Sequence, residues 1–462
     1  MKYYIIGLVF LGWPFLACDK GEVKSPVASF PDYGEVLAFP GAEGYGRKAV
    51  GGRYGEVYHV TTLVDSGKGS LRDAVGKPNR IIVFDVSGII RLQSPLILSR
   101  NLTIAAQTAP GDGIVLYGSR VSFSGADHLI CRYLRIRMGV GGKEGKDAAG
   151  IAYGSDMIFD HLSVTWGRDE CFSINGDPKK PADQPRNITI QNSFIGQGLQ
   201  PHSCGGLIQT TVENGVTLYR NLYIDNKTRN PKVKGLNQFV NNILYNWGNG
   251  GAYIMGDTEA ASDADIRNNY FIAGPTLNYD GKRLGAAAPF TRYNRNFRVY
   301  LSGNFYDDNT DGILNGRELK KEDCSHRKMI DGKENLITPT FLEQPSEVHP
   351  EIKGIMTAQE AYEWVVKKGG ASLPVRDEVD GRLIEELVSL GKEGLIIHSE
   401  TDLPTKGPGN IHTAERKQDT DNDGIPDEFE DRYGLDKNNP EDAMKIASNG
   451  YTNLENYIFL IN

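Results

Sequence analysis

The chain has 462 residues, of which 39% are hydrophobic and 54 are glycine, and it carries a formal net charge of −8. That is enough apolar material for a large core. The acidic balance, with no basic stripe interleaved with aromatics, excludes a nucleic-acid-binding surface. The glycines suit short strands joined by many turns.

Residues 1–17 read as a leader: Met1-Lys2 precedes an apolar run from Tyr3 to Leu16 that is too short for a stable membrane span. The run ends Phe15-Leu16-Ala17-Cys18, which resembles a bacterial lipoprotein cleavage site with Cys18 as the lipidated residue. Residues 18–36 would then be a polar tether. Cys131, Cys171, Cys204 and Cys324 form no zinc pattern. They are expected as buried free thiols, with a disulfide between neighbouring strands left open outside the cytoplasm.

Ser70 to Val75 predicts a short amphipathic helix that caps the open end of a repeat. Between about residues 80 and 310 the chain returns to short β-rich runs, among them Ile81–Phe84, Leu129–Leu134, Ile188–Ile190, Val216–Tyr219 and Val299–Leu301. Asn192, Asn221, Asn242, Asn269 and Asn304 recur just after such runs. One inward-turned Asn per coil, bonded to its neighbours' backbone at a bend, would explain them. Long helical periodicity is absent, so the expected fold is all-β, a right-handed single-stranded parallel β-helix spanning residues 37–325.

Two blocks stand out within it. Phe159-Asp160-His161 is followed downstream by Arg229-Asn230-Pro231-Lys232-Val233-Lys234. With the front blocks Phe39–Gly46, Gly55–Thr61 and Gly69–Val75, they resemble the pectate lyases of polysaccharide lyase family 1, over roughly residues 38 to 310. The resemblance implies the β-helix and a Ca²⁺-dependent β-elimination on polygalacturonate, an acidic plant cell-wall polysaccharide. Arg229 would be the base that takes the C5 proton, and Lys232, Lys234 and His202 would contact substrate. Asp147, Asp169 and Glu170 would hold the catalytic Ca²⁺. The sequence departs from the family where Ile158-Phe159 replaces Trp-Ile, Lys234 replaces a final Arg, and Ser173 stands in place of a second carboxylate. Lys227, Lys232, Lys234 and the Ca²⁺ are expected to push Arg229 towards its neutral form. A bidentate carboxylate clamp is the other role open to it. His161 is expected to be structural, and Asp160 to lie near the site without being the base.

Residues 326–410 are expected to form a helical extension packed on the β-helix: Thr357-Ala358-Gln359-Glu360 is a capping box, and Leu383, Ile384, Leu387 and Leu390 form an apolar stripe. Residues 411–462 would be a small EF-hand-like calcium-binding tail. Asp419, Asp421, Asp423, Gly424 and Glu430 match D-x-D-x-D-G-x5-E, with Asp427 as a further candidate ligand. The expected partners are polygalacturonate and Ca²⁺, with no nucleic acid, and with membrane contact only through a lipid anchor on a monomer at the outer-membrane surface. A different uronan lyase, a pectin hydrolase or a non-catalytic glycan-binding lipoprotein are the alternatives.

Overall fold

The computed structural model describes residue 1 and residues 27–177, 179–248, 251–256, 260–276, 289–293 and 296–461; Cys18 and the leader lie outside them. Short runs rich in β-branched and aromatic residues stack as parallel strands in three sheets. In the first sheet Ile158 lies between Ile130 and Thr189. In the second Val164 lies between Ile136 and Ile195, and in the third Ala149 lies between Val121 and Phe172. One coil visits the sheets in turn, as Ser155–Asp160, Ser163–Thr165 and Phe172–Asn175. The nine-residue strand Lys232–Val240 pairs in the third sheet at its start and in the first at its end, so there the coil closes without a turn. This is the expected parallel β-helix.

Side chains of the first and third sheets meet across the inside of the coil. Phe159 packs against Phe123 and Phe172 with ring centroids 4.8 and 5.0 Å apart, all three buried. Such aromatic contacts add about 1 kcal/mol each beyond the burial of their area.

The turn from the first to the second sheet uses one left-handed residue per coil: His161, Asn192, Arg220, Asn241 and Asn268 have φ of 54°, 57°, 54°, 57° and 53°. The residue after it builds the internal ladder. Asn221 Oδ1 accepts from Ser193 N at 2.9 Å, Asn242 Oδ1 from Asn221 N at 2.9 Å, Asn269 Oδ1 from Asn242 N at 2.7 Å, and Asn304 Oδ1 from Asn269 N at 3.1 Å. Asn192 differs from expectation. It sits at the left-handed position and donates to Asp160 Oδ1 at 2.7 Å, leaving Ser193 as the ladder member. His161 takes the same left-handed place, stacked on Tyr133 with centroids 4.6 Å apart. Asp160 is buried among Arg132 Nε (2.8 Å), His161 Nδ1 (3.0 Å) and Gln191 Nε2 (3.0 Å). Its carboxylate braces this turn, a different corner of the coil from Arg229.

The open end is closed by the helix Leu71–Val75, which buries Leu71, Ala74 and Val75 while Ser70 caps it by accepting from Asp73 N at 3.2 Å. Helices Ala358–Lys368 and Glu378–Val388 cover the second sheet, where Ala361, Val365, Leu383 and Leu387 pack on Phe194, Leu222, Ile243 and Tyr270. The segment expected to be wholly helical begins instead with an antiparallel hairpin, His326–Ile330 with Lys333–Ile337. Asp331 and Gly332, with φ of 49° and 74°, form its two-residue turn. The tail lies against the outer face of the first sheet: Ile425, Ala443, Leu454 and Ile458 pack on Ile81, Val83 and Ala105. Arg53 Nε meets Glu455 at 2.9 Å in a buried pair beside it. The four remaining cysteines are buried and free. Among the described residues no helix is long and apolar enough to cross a membrane.

Asn242 both accepts from Asn221 N and donates to Leu218 O at 2.9 Å, so Asn242→Ala strands two buried backbone groups. A loss of about 3 kcal/mol in urea unfolding is expected, against under about 1 kcal/mol for an exposed Asn.

Candidate active site

The apolar clusters on the outside of the coil cover the first and second sheets. The third sheet faces outward with Ser122, Gln209, Lys232 and Lys234 only half-buried. At the corner leading into this sheet, successive coils are tied by backbone bonds. Ala148 N donates to Glu170 O at 3.0 Å, Cys171 N to Cys204 O at 2.9 Å, and Gly206 N to Arg229 O at 2.7 Å. Residues far apart in sequence therefore stand in one column: Asp147, then Asp169-Glu170, then His202 and Cys204, then Arg229.

Arg229 occupies a left-handed turn position with φ 56° and is followed by the buried Asn230, whose Oδ1 accepts from Asn226 Nδ2 at 2.9 Å. Gly205 is required beneath it, because a Cβ there would lie 2.6 Å from Asn230 Oδ1 and 2.7 Å from Arg229 O. Held in this way, Arg229 Nη1 pairs directly with the carboxylate of Glu170, 59 residues earlier. Glu170 N donates to Asp147 Oδ1 at 3.4 Å, which brings the two acids together. His202 Nδ1 lies 3.0 Å from Asp169 Oδ1. Ligand atoms of Asp169, Glu170 and Cys204 fall within 4.8 Å of one another. Asp147, Asp169, Glu170, His202 and Arg229 thus come together, with Lys232 and Lys234 on one face of the strand that follows.

Arg120 was not singled out by the sequence reading. It stands one coil before Asp147, and a Cβ on Gly150 would touch both Arg120 Nη2 (3.2 Å) and Asp147 Oδ2 (3.3 Å), so the two side chains converge there. Lys227 instead donates to Pro201 O at 2.9 Å.

Burial, with Asp147 and Asp169 close by, pushes Glu170 up to about 8 despite the pull of Arg229. Burial also raises Asp147. The same acids act on Arg229. Burial works against its charge, yet it is held above the usual guanidinium value by Cys204, Glu170 and Asp169. The Cys204 thiol is itself pushed up to about 12 by burial.

In the tail, Asp419, Asp421 and Asp423 gather, and Asp423 gathers again with Glu430 and Asp442. Asp427 is turned elsewhere, its oxygens accepting from Thr420 N at 2.8 Å and Thr420 Oγ1 at 2.7 Å.

A folded Glu170 near 8 against an ordinary value of 4.5 keeps its proton in the fold after the unfolded chain has lost it. Stability therefore falls as pH rises from about 4.5 to about 8, with a slope of up to about 1.4 kcal/mol per pH unit. In chelator, Glu170→Gln should flatten the denaturation midpoint over this window relative to the unsubstituted chain. An unchanged slope contradicts the assignment.

No family model matches the chain. It is 50% identical over 420 residues to the probable pectate lyase C of Aspergillus flavus, covering 91% of this chain and 93% of that one. It is 51% identical over 422 residues to the probable pectate lyase C of Neosartorya fischeri, covering 91% and 92%. Among solved structures, a pectate lyase from Bacillus sp. N165 in complex with trigalacturonate superposes with a TM-score of 0.44 at 15% identity, over 71% of this chain and 98% of that one. The two curated relatives are fungal, so the expected bacterial lipoprotein form draws no support from them. Identity at this level, sustained across nine-tenths of both chains, shows that the chain belongs to the pectate lyase family.

Proposed function

We propose that this pectate lyase, as a member of polysaccharide lyase family 1, cleaves 1,4-linked polygalacturonate by β-elimination at the corner where Arg229 meets Glu170. The observation that carries the reading is that pairing: an arginine one-third exposed on an open face, joined to a carboxylate buried beside two more acids.

The donor set suits Ca²⁺. Asp147, Asp169 and Glu170 offer hard oxygens, and the burial and crowding that lift Glu170 to about 8 are offset by added positive charge. These three residues would hold the ion. Bound there, Ca²⁺ would supply a Lewis acid for the uronate carboxylate that acidifies the C5 proton, and its charge would loosen the pairing of Glu170 with Arg229.

The chain's own residues do the rest. Lys232 and Lys234 attract and seat the polyanion along the third sheet. A cavity of about 510 Å³ lined by Arg120, Lys143 and Lys146 extends the basic surface beside Asp147. His202, held by Asp169, lies on the loop flanking the same column. Arg229, freed from Glu170 and having given its own proton to solvent, takes the C5 proton in its neutral form. The C5–H electron pair becomes the C4=C5 double bond, the C4–O4 bond breaks with its electrons on oxygen, and O4 is protonated to complete the cleavage. The product is a 4,5-unsaturated oligogalacturonide.

We also propose that the chain is exported and lipid-anchored through Cys18, a reading supported by the leader-like run ending Ala17-Cys18. Radiolabelled palmitate incorporation that Cys18→Ser abolishes supports it, and equal labelling of the two chains rejects it.

Ultraviolet absorbance of unsaturated uronate, followed with de-esterified polygalacturonate, should rise with Ca²⁺ and stop in excess chelator. Arg229→Ala should lower kcat by about 10³-fold or more, and Arg229→Lys should restore only a small part, since proton transfer contributes about 10²–10⁴-fold and positioning adds to it. Activity within about tenfold of the unsubstituted enzyme in Arg229→Ala would remove Arg229 as the base.

A further inference from the structure

The tail carries a second acidic cluster, away from the active corner, and its acids are not surface acids. Asp423 is 2% exposed, Glu430 0% and Asp442 6%. Six carboxylate oxygens here are buried without any hydrogen-bond partner: both of Asp421, both of Glu430, Asp423 Oδ2 and Asp442 Oδ1. The remaining oxygens anchor the loop. Asp419 accepts from Asn422 N at 2.7 Å and Gly424 N at 3.0 Å, Asp423 Oδ1 from Ile425 N at 2.8 Å, and Asp442 Oδ2 from Asp436 N at 3.0 Å. Asp423 and Asp442 each therefore hold backbone with one oxygen and turn the other inward. Arg416 comes within 3.8 Å of Asp419 but is bonded to Asp85 and Asn422, and Lys437 is paired with Asp431.

Burying several unpaired carboxylates together is strongly unfavourable unless a cation gathers them. We propose that Asp421, Asp423, Glu430 and Asp442, with Asp419 bracing the loop, bind a hard divalent cation of the Ca²⁺ class that clamps the tail to the first sheet. Six inward oxygens match the six to eight that such an ion takes. Asp442 is a ligand from outside the twelve-residue loop. It stands in for Asp427, the loop acid that is engaged with Thr420.

The clamp follows from what the ligands are attached to. Ile425, two residues after Asp423, and Ala443, next to Asp442, are buried against Ile81, Val83 and Ala105. Gly424 approaches the first sheet so closely that a Cβ would lie 3.3 Å from Val57 and 3.4 Å from Val83. The ion lies directly behind this contact, and its removal sets like charges against each other there.

The test uses the full chain, with CaCl₂ or excess chelator as the only variable. Expected are a higher thermal midpoint in Ca²⁺ and proteolytic cleavage within 411–418 only in chelator. The Ca²⁺ concentration for half the thermal shift should rise about tenfold or more in Asp442→Asn, while unsaturated-product formation at saturating Ca²⁺ stays unchanged. If Asp442→Asn fails to fold, Asp421→Asn, at the half-exposed rim, is read in the same way. Identical melting in Ca²⁺ and chelator, or a variant that titrates like the unsubstituted chain, overturns the proposal.

Discussion

In-register hydrogen bonding between successive coils is the constraint on which the rest of this molecule depends. Each coil buries little on its own, and only stacking brings Phe123 against Phe159 of a later coil. The same bonds bring Glu170 and Arg229, 59 residues apart, into contact. A slip of one residue would turn Glu170 to the other side of its strand and break the column from Asp147 to Arg229. The Asn ladder at the opposite corner resists such slips, because each side chain bonds the backbone of the next coil and is satisfied in one register alone.

The two acidic clusters differ in how their charge is met. At the active corner the acids stand beside Arg229 and Arg120, and Glu170 has a counter-charge within the chain. In the tail no arginine among the described residues reaches the inward oxygens of Asp421, Glu430 and Asp442. A guanidinium that can let go of its carboxylate suits a reacting centre. Acids with nothing to let go of suit a permanent structural ion. The difference also accounts for exposure, since the active corner opens onto the third sheet while the tail cluster is sealed between loop and coil.

Much of this was readable in the residues, where the signal is local. The capping box at Thr357–Glu360, the helix over Ser70–Val75 and the recurrent Asn each carry their structure within a few positions. Asn192 misled because it and Ser193 are neighbours at a bend, and only the left-handed backbone of Asn192 decides which of them points inward. Arg120 and Asp442 were not visible because each acts through register or docking, neither of which leaves a mark on nearby sequence. The hairpin at 326–337 did have a signal, Asp331-Gly332, which the helical patterning further on overshadowed. The lysines near Arg229 are plain in the sequence, whereas the carboxylates two coils away that raise it are not.

The account's central claim is that one column of residues, brought into line by coil register, both holds the cation and presents the base. A crystal structure of the full chain with Ca²⁺ and a short oligogalacturonate tests it most directly. The account predicts a cation on Asp147, Asp169 and Glu170 and a uronate lying along the third sheet. Arg229 should have left Glu170 and stand about 3–3.5 Å from C5. Oligosaccharide bound on another face, or a cation-loaded site in which Arg229 still grips Glu170, would contradict it.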